Sequence, residues 1–138
     1  MTESMYALEP VLSESDYAGA FSEVVARFRR RAMLVLLSDL LEQAVTDSLI
    51  PAMPLITRTH LVVVAGVSDP AVHSWAEEPV IDDDEVFRRV AAVRALETRR
   101  RSAAKLSSLG AIVIDARPGC LATELADAYL RVKTTGRL

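Results

Sequence analysis

Arg29-Arg30-Arg31-Ala32-Met33-Leu34-Val35-Leu36-Leu37-Ser38-Asp39 carries three arginines into an unbroken apolar run that stops at a serine and an aspartate. A run apolar at both alternating positions fits a strand covered on both faces, the usual state of a strand in a parallel sheet flanked by helices. Its polar stop falls where such a strand would emerge at its carboxyl end, the edge at which open α/β sheets place their ligands. Two other segments repeat the pattern. His60 to Val67 runs into Ser68-Asp69-Pro70, and Ala111 to Ile114 runs into Asp115. The expected strands are therefore 32–37, 60–67 and 111–115, covered by helices in an α/β Rossmann-like layer fold.

The segments between the strands have helical character. Tyr17, Phe21, Val24 and Phe28 recur at helical spacing after Ser13 and Ser15, either of which can cap a helix. Core packing accounts for that stripe. Arg27, Arg29, Arg30 and Arg31 suit the negative end of the same helix, and a solvated helix end explains them more simply than a phosphate site. Residues 40–58 are ambiguous: Leu49, Ala52, Met53 and Ile56 are spaced as a helix, but Pro51 and Pro54 interrupt, so a short or kinked helix is expected. Val72 to Ile81 has the look of a loop carrying Trp75. Asp82 and Glu85 have capping-box spacing at the head of a long helix, with Val86, Val90, Val93, Leu96, Ala103, Leu106 and Leu109 near one face. Arg99, Arg100 and Arg101 are expected on or beside its solvated side, and Gly110 is placed to end it. Pro118 is expected to open a last helix buried along Leu121, Leu125, Ala128 and Val132. Helices alternating with apolar strands predict a parallel sheet with right-handed crossovers.

The 138 residues suffice for one domain with a core: an arm at 1–12 and a single α/β domain at 13–138. A formal net charge of -3 disfavours a dedicated nucleic-acid binder. The single Cys120 excludes an intrachain disulfide and a cysteine-rich zinc site, and a reduced cytoplasmic setting fits it most simply. No stretch is long and apolar enough for a spanning helix.

Candidate chemistry centres on the strand ends. In a parallel sheet Ser38-Asp39, Ser68-Asp69 and Asp115 share the carboxyl edge, where oxygen ligands can hold a hard cation such as Mg²⁺. Ser38, Asp39 and Asp69 are the metal candidates, as an incomplete site; the competing explanation is that Asp and Ser are ordinary turn residues. No glycine-rich phosphate loop and no nucleophile elbow occurs. His60, at a strand start, is expected to be structural, His73 to be solvated in a loop, and Cys120 to be a packed, inert thiol.

Residues 30–40, Arg58-Thr59-His60-Leu61-Val62-Val63-Val64, Asp69-Pro70 and the closing Tyr129 to Leu138 together resemble the C-terminal half of the bacterial "domain of unknown function 58" proteins. That family is related to von Willebrand factor A domains and is often encoded beside MoxR-type AAA+ ATPases. The resemblance implies a partial von Willebrand factor A-like fold, the C-terminal part of a larger domain. It also implies a non-enzymatic protein-interaction module working with a MoxR-type ATPase. Asp39 matches by position the later aspartate of the A-domain metal site, whose Asp-x-Ser-x-Ser motif does not occur in this sequence. Any Mg²⁺ is thus implied for the full-length protein, with no cofactor in these residues alone. The alternative from the strand ends is a Mg-dependent phosphoryl-transfer or hydrolase domain using Asp39 and Asp69. In a sheet of A-domain order, Met33 to Leu37 would lie on an open edge, and a homo-oligomer formed through that edge is expected.

Overall fold

The computed structural model describes residues 15–39 and 45–138. The expected arm at 1–12 and the cap at Ser13 lie outside the described residues. The molecule is built on a three-stranded, all-parallel sheet in the order β1 (Met33–Leu37), β2 (Leu61–Val67), β3 (Ile112–Ala116). Around it lie α1 (Tyr17–Arg27), α2 (Ile50–Thr57), α3 (Pro70–Glu77), α4 (Asp83–Ser108) and α5 (Leu121–Thr134). A π-helical turn, Val45–Leu49, leads into α2. The expected strands are thus present to within a residue at each end. Asp115 is a difference: it lies inside β3, paired with Gly66, and does not terminate it.

β2 is the centre. Leu61, Val62, Val63, Val64 and Ala65 are all buried, because β2 has a strand on each side and helices on each face. Alternation sends Val62 and Val64 to one layer, with Phe21 of α1, Ala52, Met53 and Ile56 of α2, and Leu106 of α4. Val63 and Ala65 face the other, with Ile114, Ala116 and Ala128 of α5. At the head of β2, His60 is buried and structural: its Nδ1 accepts the Ala32 N–H at 3.2 Å, while its Nε2 finds no partner among the described residues.

Local chemistry explains the helix ends. Asp16, rather than Ser15, caps α1 by accepting the Gly19 N–H at 2.8 Å. A Cβ at position 19 would meet that carboxylate, which would have to shift out of its capping position. The α1 stripe ends early, since Phe28 is an exposed C-cap. In α2, Pro51 stands in the first turn, where its missing N–H costs no bond. Pro54 is inside the helix, which runs only to Thr57. Asp82 accepts the Glu85 N–H at 2.8 Å and Glu85 accepts the Ile81 N–H at 2.7 Å, a reciprocal cap for α4. Gly110 follows α4 with φ 96°, a left-handed turn a side chain would strain.

Three expectations are corrected. Pro70 to Glu77 is a helix rather than part of a loop: Asp69 caps it through the Ala71 N–H at 2.8 Å and Pro70 occupies the first position, so Trp75 and His73 are helical. Pro118 lies in a turn, and α5 starts at Leu121 with Cys120 at its cap and exposed, not packed. The long stripe of α4 is buried only in part. Ala92, Ser102 and Leu106 are buried, whereas Val86, Val90 and Val93 are exposed. The cause is length. Twenty-six helical residues extend about 39 Å. The five residues of β3 extend about 17 Å.

Leu106 is fully buried between α4 and the sheet. Leu106→Ala should lower the unfolding free energy by about 2–5 kcal/mol in urea denaturation, whereas Val90→Ala, on the exposed half of the same helix, should change it by no more than about 0.5 kcal/mol.

Candidate functional site

The carboxyl edge of the sheet gathers the end of each strand. Because the strands are parallel and in register, Ser38 continues β1 by donating its N–H to the Ala65 carbonyl at 2.9 Å, beside the Gly66–Asp115 pair. One strand over, the Ser68 N–H and Oγ both reach the Ala116 carbonyl, at 2.9 and 3.2 Å. An open cleft of about 450 Å³ lies here, lined by Tyr17, Leu37, Ser38, Asp39, Gly66, Val67 and Leu121, among others. Ser38 and Asp39 therefore stand in the one place the sequence singled out for a ligand.

Arg99 organises this edge. Its Nε and Nη2 grip the Asp115 carboxylate in a fork at 2.8 and 2.7 Å, and its Nη1 donates to the Asp39 carbonyl at 2.5 Å. One guanidinium thus ties α4 to the ends of β1 and β3, across β2. The planar fork matches a carboxylate, and its third side is free for a carbonyl. The side chain is 17% exposed, against 37% for Asp115, so the pair is shielded on one side and wet on the other. The sequence reading put Arg99 on or beside the solvated side of α4. The signal that could have placed it correctly was its spacing from the residues that are buried, Ala92, Ser102 and Leu106.

The three strand-end aspartates are engaged in different ways. Asp115 is held by Arg99. One oxygen of Asp69 caps α3. Asp39 lines the cleft beside Ser38, with its own carbonyl bonded to Arg99. Among the described residues no group of three or more His, Cys, Asp or Glu converges as metal ligands. A hard cation takes six or more oxygens, and the Arg99 guanidinium places positive charge at the same edge. The donors of the described residues do not by themselves make a complete cation site.

A second surface is created by the overhang. N-terminal to Arg99, α4 runs past the carboxyl edge and packs against α3, forming a helical hairpin. Trp75 of α3 lies beneath the Arg88 guanidinium of α4, 5.7 Å from the ring centroid. The hairpin exposes Ile81, Val86, Phe87, Val90 and Val93, with Phe87 75% exposed. No helix among the described residues is long and apolar enough to cross a membrane. No family model matches the chain, and no curated protein or solved structure does.

The Arg99–Asp115 fork is testable by a double-mutant cycle. Arg99→Met and Asp115→Asn should each destabilise the protein, with a coupling free energy of about 1 kcal/mol, kept small by the exposure of the carboxylate. Additive effects in the cycle would show that the fork contributes nothing of its own.

Proposed function

We propose that this chain is a non-enzymatic protein-interaction module acting with a MoxR-type AAA+ ATPase, and that the α3–α4 hairpin is the surface it presents. The observation that carries the reading is the exposed apolar row on that hairpin. Val86, Val90 and Val93 are spaced as one helical face, Phe87 adjoins it, and Ile81 stands at its head. Apolar side chains grouped on a projecting element, rather than scattered singly, are characteristic of a protein-binding surface. Arg88, Arg89 and Arg94 lie among them, so the surface suits a partner with apolar and acidic groups. The ATPase follows from the resemblance of 30–40, 58–64, 69–70 and 129–138 to proteins encoded beside such enzymes.

Mg²⁺ belongs to this reading only in the full-length protein. Asp39 is the ligand that the resemblance supplies; Ser38 and Asp69 are the strand-end candidates beside it, and the Asp69 carboxylate already serves α3. Residues 1–138 should accordingly bind Mg²⁺ weakly or not at all. Calorimetric titration giving tight, stoichiometric binding would contradict this.

The interaction itself is tested by capture of the MoxR-type ATPase on the full-length protein. The wild type should retain the ATPase, and Phe87→Asp with Val90→Asp should reduce retention by about tenfold or more while leaving the melting temperature nearly unchanged, because both side chains are exposed. Equal retention by wild type and variant would remove the hairpin from the interface, and no retention by the wild type would remove the ATPase.

A further inference from the structure

The amino edge of the sheet gathers positive charge. Parallel strands all start at one edge, and the helices that run back between them end there. Arg27, Arg29, Arg30 and Arg31 fall between the last turn of α1 and the start of β1, and all four are exposed. The Leu61 N–H donates to the Ala32 carbonyl at 2.9 Å, which sets Arg58, at the end of α2, on the same edge. The Arg31 Nε donates to the Arg137 carbonyl at 2.8 Å, which brings in the end of α5 with Arg131 and Lys133 in its last turn. Cations in the last turn of a helix offset its dipole, and that explains Arg27, Arg131 and Lys133. It does not explain Arg29, Arg30 and Arg31, which lie past the end of α1 in chain without regular structure. Four guanidiniums within five residues repel one another. Together they wall an open cleft of about 470 Å³, which Phe28 and Ala32 complete. Phe28 is 56% exposed there, an aromatic ring in water among cations.

We propose that this cleft binds a single strand of nucleic acid, DNA or RNA, with the arginines on its phosphates and a base stacked on Phe28. A guanidinium meets a phosphate in a bidentate fork and stays charged at every physiological pH. Base stacking on an aromatic ring beside a basic groove is how single strands are held without sequence preference. An acidic peptide would satisfy the arginines but offer the ring no flat partner. A lipid surface would call for a ring that projects, whereas Phe28 stands in the wall of a concavity. The pairing of cation and ring continues along α5, where the Lys133 ammonium lies 5.8 Å from the centroid of Tyr129.

The formal net charge of -3 does not oppose this. It is a sum over the whole chain, whereas a bound strand meets one face, because salt screens exposed charges beyond about 8 Å. The acidic run Asp82 to Glu85 heads α4, and Lys105 stands in its last turn. Asp83 and Lys105 are thus about 33 Å apart along the helix. The inference does not depend on the ATPase: it concerns the amino edge, whereas the hairpin stands beyond the carboxyl edge.

Fluorescence anisotropy of labelled oligonucleotides of roughly a dozen nucleotides tests it on the whole chain at physiological salt. The wild type should bind single-stranded DNA, RNA or both, and bind a duplex of the same sequence more weakly, since its bases are already stacked. Arg29→Glu with Arg30→Glu should weaken binding by about tenfold or more and leave the melting temperature nearly unchanged, because both side chains are exposed. Arg30→Ala should lower the slope of log affinity against log salt by about 0.7. Phe28→Ala should weaken binding about fivefold or more and leave that slope unchanged. The hairpin variant Phe87→Asp with Val90→Asp should bind as the wild type does. No binding of either single strand, binding indifferent to Arg29→Glu with Arg30→Glu, or tighter binding to phosphatidylserine vesicles or to polyglutamate would overturn the proposal.

Discussion

A buried strand must satisfy its backbone on both sides and cover both faces, and β2 is the strand here that does so. Its N–H and C=O groups are taken up by β1 and β3, and its side chains by α1, α2 and α4 on one face and α5 on the other. Removing water from a continuous run of five apolar residues stabilises the fold because the neighbouring strands take up the backbone groups that lose water with it. The other strands lean on β2, and among the described residues no strand meets the far side of either. That constraint makes β1 and β3 edges, and it directs the remaining chemistry to the ends and margins of the sheet.

The mismatch between α4 and β3 shapes the rest. A helix rises less than half as far per residue as a strand, yet α4 is so much longer in residues that it overruns the sheet. Arg99 stands where the overrun begins. Below it the helix is held by apolar contact at Leu106; at Arg99 itself it is held by charge, on Asp115 and the Asp39 carbonyl. Above it the helix has only α3 to pack on, and its valines remain in water. One guanidinium thus marks the boundary between a part of the molecule built for stability and a part with apolar surface to spare.

The hairpin and the outer side of β1 have different physical characters. The hairpin exposes side chains on a self-sufficient helical backbone, so its recognition rests on shape and apolar area. The outer side of β1 has backbone hydrogen-bonding groups that no strand among the described residues meets, and any pairing there would be directional and sensitive to register. These differences let one surface be altered without disturbing the other.

The sequence by itself determined the alternation of helices and apolar strands, the parallel sheet, the burial of His60 to Ala65, the cap at Asp82 and the turn at Gly110. Each is written within a few neighbouring residues, as a run of β-branched side chains, a carboxylate three residues from its N–H, or a glycine past the last turn. Tertiary structure decided which stretch of a helical stripe is covered and what each strand-end aspartate touches. Val86, Val90 and Val93 have the same periodicity as a buried face, but burial requires a neighbour, and α4 has left the sheet by that point. Arg99 lies among other arginines and looks solvated in sequence; only the distance along α4 from Leu106 brings it level with the end of β3. Asp39, Asp69 and Asp115 are alike in sequence, each following an apolar run. They differ because Arg99 takes the carboxylate of Asp115 but the carbonyl of Asp39, while Asp69 heads a helix, and those are properties of elements far apart in the chain.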